Sequence, residues 1–177
     1  MKNLIIPILA CFLLTGCGSS FQGFYNKHKN DIGVTSFQLP NFLKAVIGNV
    51  SPEVKGLIGN IADLKYMKFE NPSPAKRLGL IQELNDVTNH GYIDMFRKNE
   101  ASLTRMVSVK ELGVILTDVI LFKSDENETS AFYLKGKFDP DKIKTLADEE
   151  KFDNLSKQLQ LLAPTSLTPG FNPNNQE

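Results

Sequence analysis

The first sixteen residues decide how much of this chain is available to fold. Lys2 supplies a positive start, and Leu4 to Leu14 is almost wholly apolar. That run is too short to span a bilayer, which takes about 20 apolar residues. A charged start, a short apolar stretch and small residues at its end are the marks of a secretory signal, which is removed and takes no part in the fold. The chain has two cysteines: Cys11 lies inside that signal, and Cys17 directly follows it. The remaining sequence therefore has no disulfide to rely on and must hold together by burying a core.

The junction itself, Leu14-Thr15-Gly16-Cys17, is similar at all four positions to the bacterial lipobox Leu-[Ala/Ser/Thr]-[Gly/Ala]-Cys. The resemblance implies cleavage after Gly16, diacylglycerol on the Cys17 sulfur and usually a third acyl chain on the new amino group. Residues 1–16 are then the signal peptide, and residues 17–20 the acylated cysteine and a short tether. Each buried methylene adds about 0.8 kcal/mol and stable anchoring takes two chains, so this anchor is in practice permanent. Gly18, Ser19 and Ser20 reach on the order of 10–14 Å, which keeps the folded part close to the headgroups.

Acidic and basic residues balance at 20 each. Such a balance argues against a nucleic-acid binder, which carries a basic face, and against a polybasic membrane clamp. No second long apolar run offers a transmembrane helix.

Beyond the tether, Phe21, Phe24, Tyr25 and His28 recur at helical spacing. That stripe docks on a core or lies along the lipid interface. Asn30-Asp31-Ile32-Gly33 is turn chemistry, and Val34 to Leu39 reads as a first strand. Two short helices, or one kinked helix, follow Pro40, with Leu43, Val46, Ile47, Val50, Val54, Leu57, Ile58 and Ile61 on their apolar faces. Leu64 to Phe69 is a second strand. Ser73 caps a helix running to about His90, and Gly91 stops it. Tyr92, Met95 and Phe96 continue at helical spacing for a turn or two.

The period then changes. Val107 and Val109 share one face of a strand, and the runs Val114–Leu116 and Val119–Phe122 are nearly continuous, as in a strand covered on both faces. A polar loop, Ser124 to Ser130, turns the chain back. Phe132, Leu134 and Phe138 alternate there with Tyr133, Lys135 and Lys137, which predicts a half-buried strand with the second set outward. Asp139-Pro140 caps a closing helix through Ile143 and Leu146, and a last helix covers about Glu150 to Leu162. Residues 163–177, rich in Pro, Asn and Thr, have the composition of a disordered tail. One α+β domain over residues 21–162 is expected, with a mainly antiparallel sheet and helices packed on one face.

This order of elements resembles the putative lipoprotein family of Bacteroidetes that carries domain of unknown function 4252. The likeness runs from about Phe21 to Ala147. It rests on the Phe24-Tyr25 helix, the Val34-Thr35-Ser36 strand, the Leu64–Phe69 strand, and Val119–Phe122 followed by Leu134-Lys135-Gly136-Lys137-Phe138-Asp139 and Ile143. It implies an envelope lipoprotein of a two-membrane bacterium and supplies no catalytic residue.

The remaining chemistry is sparse. No nucleophile elbow, zinc-protease motif, P-loop or dinucleotide fingerprint is present. His28 and His90 are too few for a zinc site at ligand spacing. Asp125, Glu126 and Glu128 lack the calcium-loop pattern and read as a solvated hairpin tip. Asp139 and Asp141 read as a helix cap rather than an acid–base pair. The expectation is a non-enzymatic interaction or structural module with no cofactor, no metal and no nucleic-acid partner. It would be held to the membrane through acyl chains on Cys17 and act on a protein of the envelope. Two other readings stay open: a binder of a small apolar ligand or lipid in a closed cavity between sheet and helices lined by residues such as Phe132 and Leu134, and an enzyme with an unrecognised site. The uncharged Gly18–Gln22 segment, with no Asp after Cys17, points to the periplasmic face of the outer membrane.

Overall fold

Three helices begin on a short polar side chain, for one physical reason: the first helical N–H groups have no intrahelical partner, and a nearby side-chain oxygen accepts from one of them. Ser20 Oγ accepts from the Gly23 amide at 3.1 Å at the head of α1 (Phe21–His28). Ser73 Oγ accepts from the Lys76 amide at 3.2 Å ahead of α2 (Pro74–Thr88). Asp139 Oδ1 accepts from the Asp141 amide at 2.9 Å ahead of α3 (Pro140–Lys144). A 3₁₀ turn, Thr145–Ala147, then leads into α4 (Glu149–Gln160). The computed structural model describes residues 19–39 and 61–160. Cys17, the helices expected between Pro40 and Asn60, and the tail 163–177 lie outside the described residues.

The strands are β1 (Val34–Leu39), β2 (Ile61–Glu70), β3 (Ile93–Asn99), β4 (Thr104–Leu112), β5 (Ile115–Ser124) and β6 (Glu128–Phe138). They form one sheet in the order β1-β2-β6-β5-β4-β3, antiparallel at every step. The architecture is α+β. The β5–β6 hairpin has Val119 opposite Leu134 and Leu121 opposite Phe132. Its turn is tighter than the polar loop expected: Thr129 and Ser130 already belong to β6. Asp125 Oδ1 closes the turn by accepting from the Asn127 and Glu128 amides at 2.8 and 2.9 Å.

The helices lie on both faces of the sheet, not on one. Ile143, Leu146, Phe152 and Leu155 from the C-terminal helices cover a core that includes Leu64, Val107, Val119, Leu121, Phe132 and Leu134. On the opposite face, Phe21, Phe24, Tyr25, Leu80, Leu84 and Val87 from α1 and α2 cover Met67, Phe69, Met106, Ile120, Phe122 and Ala131. Successive strand residues point to opposite faces, so the unbroken run Val119–Phe122 demands cover on both. Tyr133, expected outward, is drawn under α1 by the same parity.

Other departures follow from local geometry. Met95 and Phe96 lie on β3, not on a helix. A bulge between Asp94 and Phe96 sets two consecutive apolar residues against one core, which imitates helical spacing in the sequence. Gly91, at φ +80°, turns the chain out of α2 into that strand, a conformation a side chain would strain. Ile61 opens β2 instead of ending a helix, and Val114 sits in the β4–β5 turn beside Gly113.

Phe132 and Leu134 are fully buried. Replacing either by Ala should cost roughly 2–5 kcal/mol in chemical denaturation. The same change at exposed Lys135 should stay within about 0.5 kcal/mol. An unchanged midpoint for both core variants would refute this packing.

Candidate functional site

Alternating charge runs across the middle of the sheet at the end where α1 begins. Lys110 on β4 lies opposite Asp118 on β5, Asp118 opposite Lys135 on β6, and Lys135 opposite Asp63 on β2. Four strands thus bring four residues of alternating sign into one row on the α1 face. Cross-strand neighbours of opposite charge interact through a spacing of about 5 Å. The row floors a cavity of about 290 Å³ whose rim is Ser19 to Gln22, with Lys65, Tyr92 and Tyr133 completing the wall.

The groups differ in how far they are already engaged. Lys65 is 3% exposed and forms an ion pair with Asp63, whose other oxygen accepts from Gln38 Nε2 at 2.9 Å. Lys65 also lies over the Tyr133 ring, 5.1 Å from its centroid. A buried ammonium persists only when so partnered. Asp118 accepts a 2.6 Å hydrogen bond from the Tyr133 hydroxyl. Lys110 Nζ lies 4.5 Å from the Tyr92 ring centroid. Among the described residues no ion pair within 4 Å joins Asp118 to either flanking lysine.

The tyrosines are placed by aromatic packing. Tyr133 stacks on Phe21 at 5.1 Å with the rings 16° apart, so the first residue of α1 fixes the wall of the cavity. Burial, followed by the hydrogen bond to Asp118 and its charge, pushes the Tyr133 hydroxyl well above the ordinary phenol range. Burial and the same carboxylate raise Tyr92. Both remain phenols at neutral pH and not phenolate nucleophiles; Tyr133 spends its hydrogen on Asp118, and Tyr92 is a hydrogen-bond donor.

The histidines and acidic residues singled out in the sequence do not converge on this cavity. His28 is buried at the far end of α1, with Nδ1 2.8 Å from Asp31 Oδ2 and Nε2 2.9 Å from Glu83 Oε2. It ties α1 to α2, together with the Lys27–Glu83 and Lys76–Asp31 ion pairs. His90 Nδ1 donates to the Asp86 carbonyl at 2.6 Å and finishes α2. Asp125 shapes its hairpin turn and Asp139 caps α3. Among the described residues no group of three His, Cys, Asp or Glu is placed to hold a metal ion.

The sequence carried a signal for the cavity that periodicity does not weigh. Asp118 is a single acid inside the apolar stretch Val114–Phe122, and Lys65 is a base directly flanked by the apolar Leu64 and the aromatic Tyr66. An ionised residue in an otherwise buried strand needs a partner, and the partners come from strands distant in sequence.

Together these features define an antiparallel sheet clad by helices on both faces, with a mixed-charge recess at one end. The chain belongs to the family of the domain of unknown function DUF4252, which matches residues 25–146. No curated protein and no solved structure matches it. The floor of the recess lies within the matched residues, and its rim at Ser19–Gln22 precedes them.

The His28 network makes stability acid-sensitive. Hydrogen bonds from His28 and Lys76 hold the Asp31 carboxyl below its usual range. At Glu83, burial pushes upward, but hydrogen bonds from Lys27 and His28 outweigh it and the carboxyl is lowered. Carboxylates lowered in the folded state stabilise it above their unfolded pKa, and the contribution fades as pH falls through the folded value. Urea midpoints measured from neutral pH down through the carboxylate range should therefore fall less for Glu83→Gln than for wild type. Equal pH dependence would show that the network does not couple to folding.

Proposed function

We propose that this protein is a lipid-anchored envelope module that works by binding and not by catalysis, held through acyl chains on Cys17 and facing the periplasm from the outer membrane. The observation that carries the reading is the opposition of two ends of one sheet. The start of α1, four residues beyond Cys17, borders the recess at one end. Ile32 and Leu78 stand exposed at the other end, where the Asp31–Lys76 ion pair joins their segments. Exposed apolar side chains away from the membrane suit a protein partner in the envelope.

The recess supports binding over catalysis. Its tyrosines are held protonated, and its most buried lysine is engaged by Asp63. The reading as a binder of an apolar ligand finds less support: Phe132 and Leu134 sit in packed core, and the recess is walled by charged and phenolic groups. The lipobox, and the likeness to Bacteroidetes lipoproteins, favour the anchor.

Cys17→Ala should move the protein from washed membranes to the soluble periplasm with its thermal midpoint unchanged, and persistence in the membrane fraction would sink the anchored reading. In intact cells the wild-type protein should resist added protease until the outer membrane is permeabilised. Digestion while a periplasmic marker stays protected would place the domain on the cell surface. In-cell crosslinking should yield a discrete adduct that Ile32→Glu combined with Leu78→Glu abolishes. An adduct unaffected by that pair would remove the partner surface from this end.

A further inference from the structure

The recess has a charge pattern that selects a class of ligand. Asp118 stands between Lys110 and Lys135, each one strand away, at a strand spacing of about 4.8 Å. A simple anion drawn to either lysine meets the carboxylate between them, and a simple cation drawn to Asp118 meets two ammonium groups. A ligand carrying both signs one strand apart satisfies the row. The Tyr92 hydroxyl adds a neutral donor, the Tyr133 hydroxyl being spent on Asp118, and a volume of about 290 Å³ limits the ligand to a small head.

The surroundings indicate where such a head would come from. The turn that follows Lys110 leaves Leu112 70% and Val114 89% exposed, and Ile93, next to Tyr92, is also exposed. All three lie at the end of the sheet where α1 begins. Apolar tips beside lysines suit a lipid–water boundary, where apolar atoms enter the acyl region and ammonium groups stay at headgroup level.

We propose that the Lys110–Asp118–Lys135 row binds a zwitterionic group in which a phosphate diester is joined through two carbons to a primary ammonium, as in a phosphatidylethanolamine headgroup. The phosphate oxygens sit between Lys110 or Lys135 and the hydroxyl of Tyr92, and the ammonium donates to the free oxygen of Asp118. The lipid as source rests on the anchored reading above; the charge chemistry does not. A bound headgroup would fix the orientation of the module on the leaflet, which acyl chains alone leave undefined.

The test uses the full mature chain carrying Cys17→Ala, so that acylation itself cannot recruit it. Glycerophosphoethanolamine, glycerophosphocholine and inorganic phosphate are titrated by calorimetry. Sedimentation is measured with vesicles of phosphatidylcholine alone and of equal parts phosphatidylcholine and phosphatidylethanolamine. Saturable binding of glycerophosphoethanolamine is expected, with the choline diester and phosphate far weaker because neither offers an N–H ammonium to Asp118. Asp118→Asn and Lys135→Ala should each weaken it roughly tenfold or more, the loss of a charge-assisted hydrogen bond. Lys135 is exposed, so its variant keeps the test valid if Asp118→Asn fails to fold. Preference for the ethanolamine vesicles assigns the lipid as source. Binding of the soluble diester without that preference assigns a free phosphodiester to the same site. No binding of any probe, or phosphate binding that tightens in Asp118→Asn, would overturn the proposal. Neither result touches the membrane fractionation of wild type, which reports on the anchor alone.

Discussion

Covering both faces of β5 and β6 is the requirement that shapes this protein. Ile120 and Phe122 project to one face while Val119 and Leu121 project to the other, and all four are buried. One helical layer cannot satisfy such strands. The chain answers with α1 and α2 on one side and with α3, the 3₁₀ turn and α4 on the other. With no disulfide expected, these two apolar layers carry the fold, and each large side chain in them contributes on the order of 1.5–3 kcal/mol by leaving water.

The polar recess exists because the α1–α2 layer stops short of one end of the sheet. Beyond Tyr133 the residues on that face are Lys135, Asp118, Lys110 and Asp63 in place of apolar ones, and Phe21 is the last aromatic to cover them. The bulges between Lys110 and Glu111 and between Leu116 and Asp118 lie beside this row. Parity switches along β5, so that Leu116 joins Phe138, its β6 partner, in the opposite core while Asp118 keeps to the recess. The same few residues thus end one core layer and begin the recess.

At the other end of α1, His28 adds to its edge-on packing against Phe24 and Phe69 a network of two carboxylates and two lysines. Aromatic packing holds both ends of the helix, and the His28 end adds charge-assisted hydrogen bonds. The first persists across pH, and the second weakens as its carboxylates gain protons.

Much of the fold is legible in the sequence because it rests on local rules. Ser73 and Asp139 announce their helices by capping chemistry, and the alternation of Phe132, Leu134 and Phe138 fixes a strand and its inward face. The likeness of Leu14–Cys17 to a lipobox is equally local, and the anchoring role proposed for Cys17 rests on it. What the sequence leaves open depends on pairing between distant segments. Helical spacing at Tyr92, Met95 and Phe96 arises from a strand bulge that only the pairing with β4 creates. The second helical layer is implied by the unbroken run at Val119–Phe122, yet nothing local says which helices supply it. The recess is the clearest case: Asp63, Lys110, Asp118 and Lys135 come from four strands spread over more than 70 positions. Their alternation is a property of register across the sheet, which local propensity does not encode. It appears only when burial of the two cores sets which strands lie side by side and at what offset.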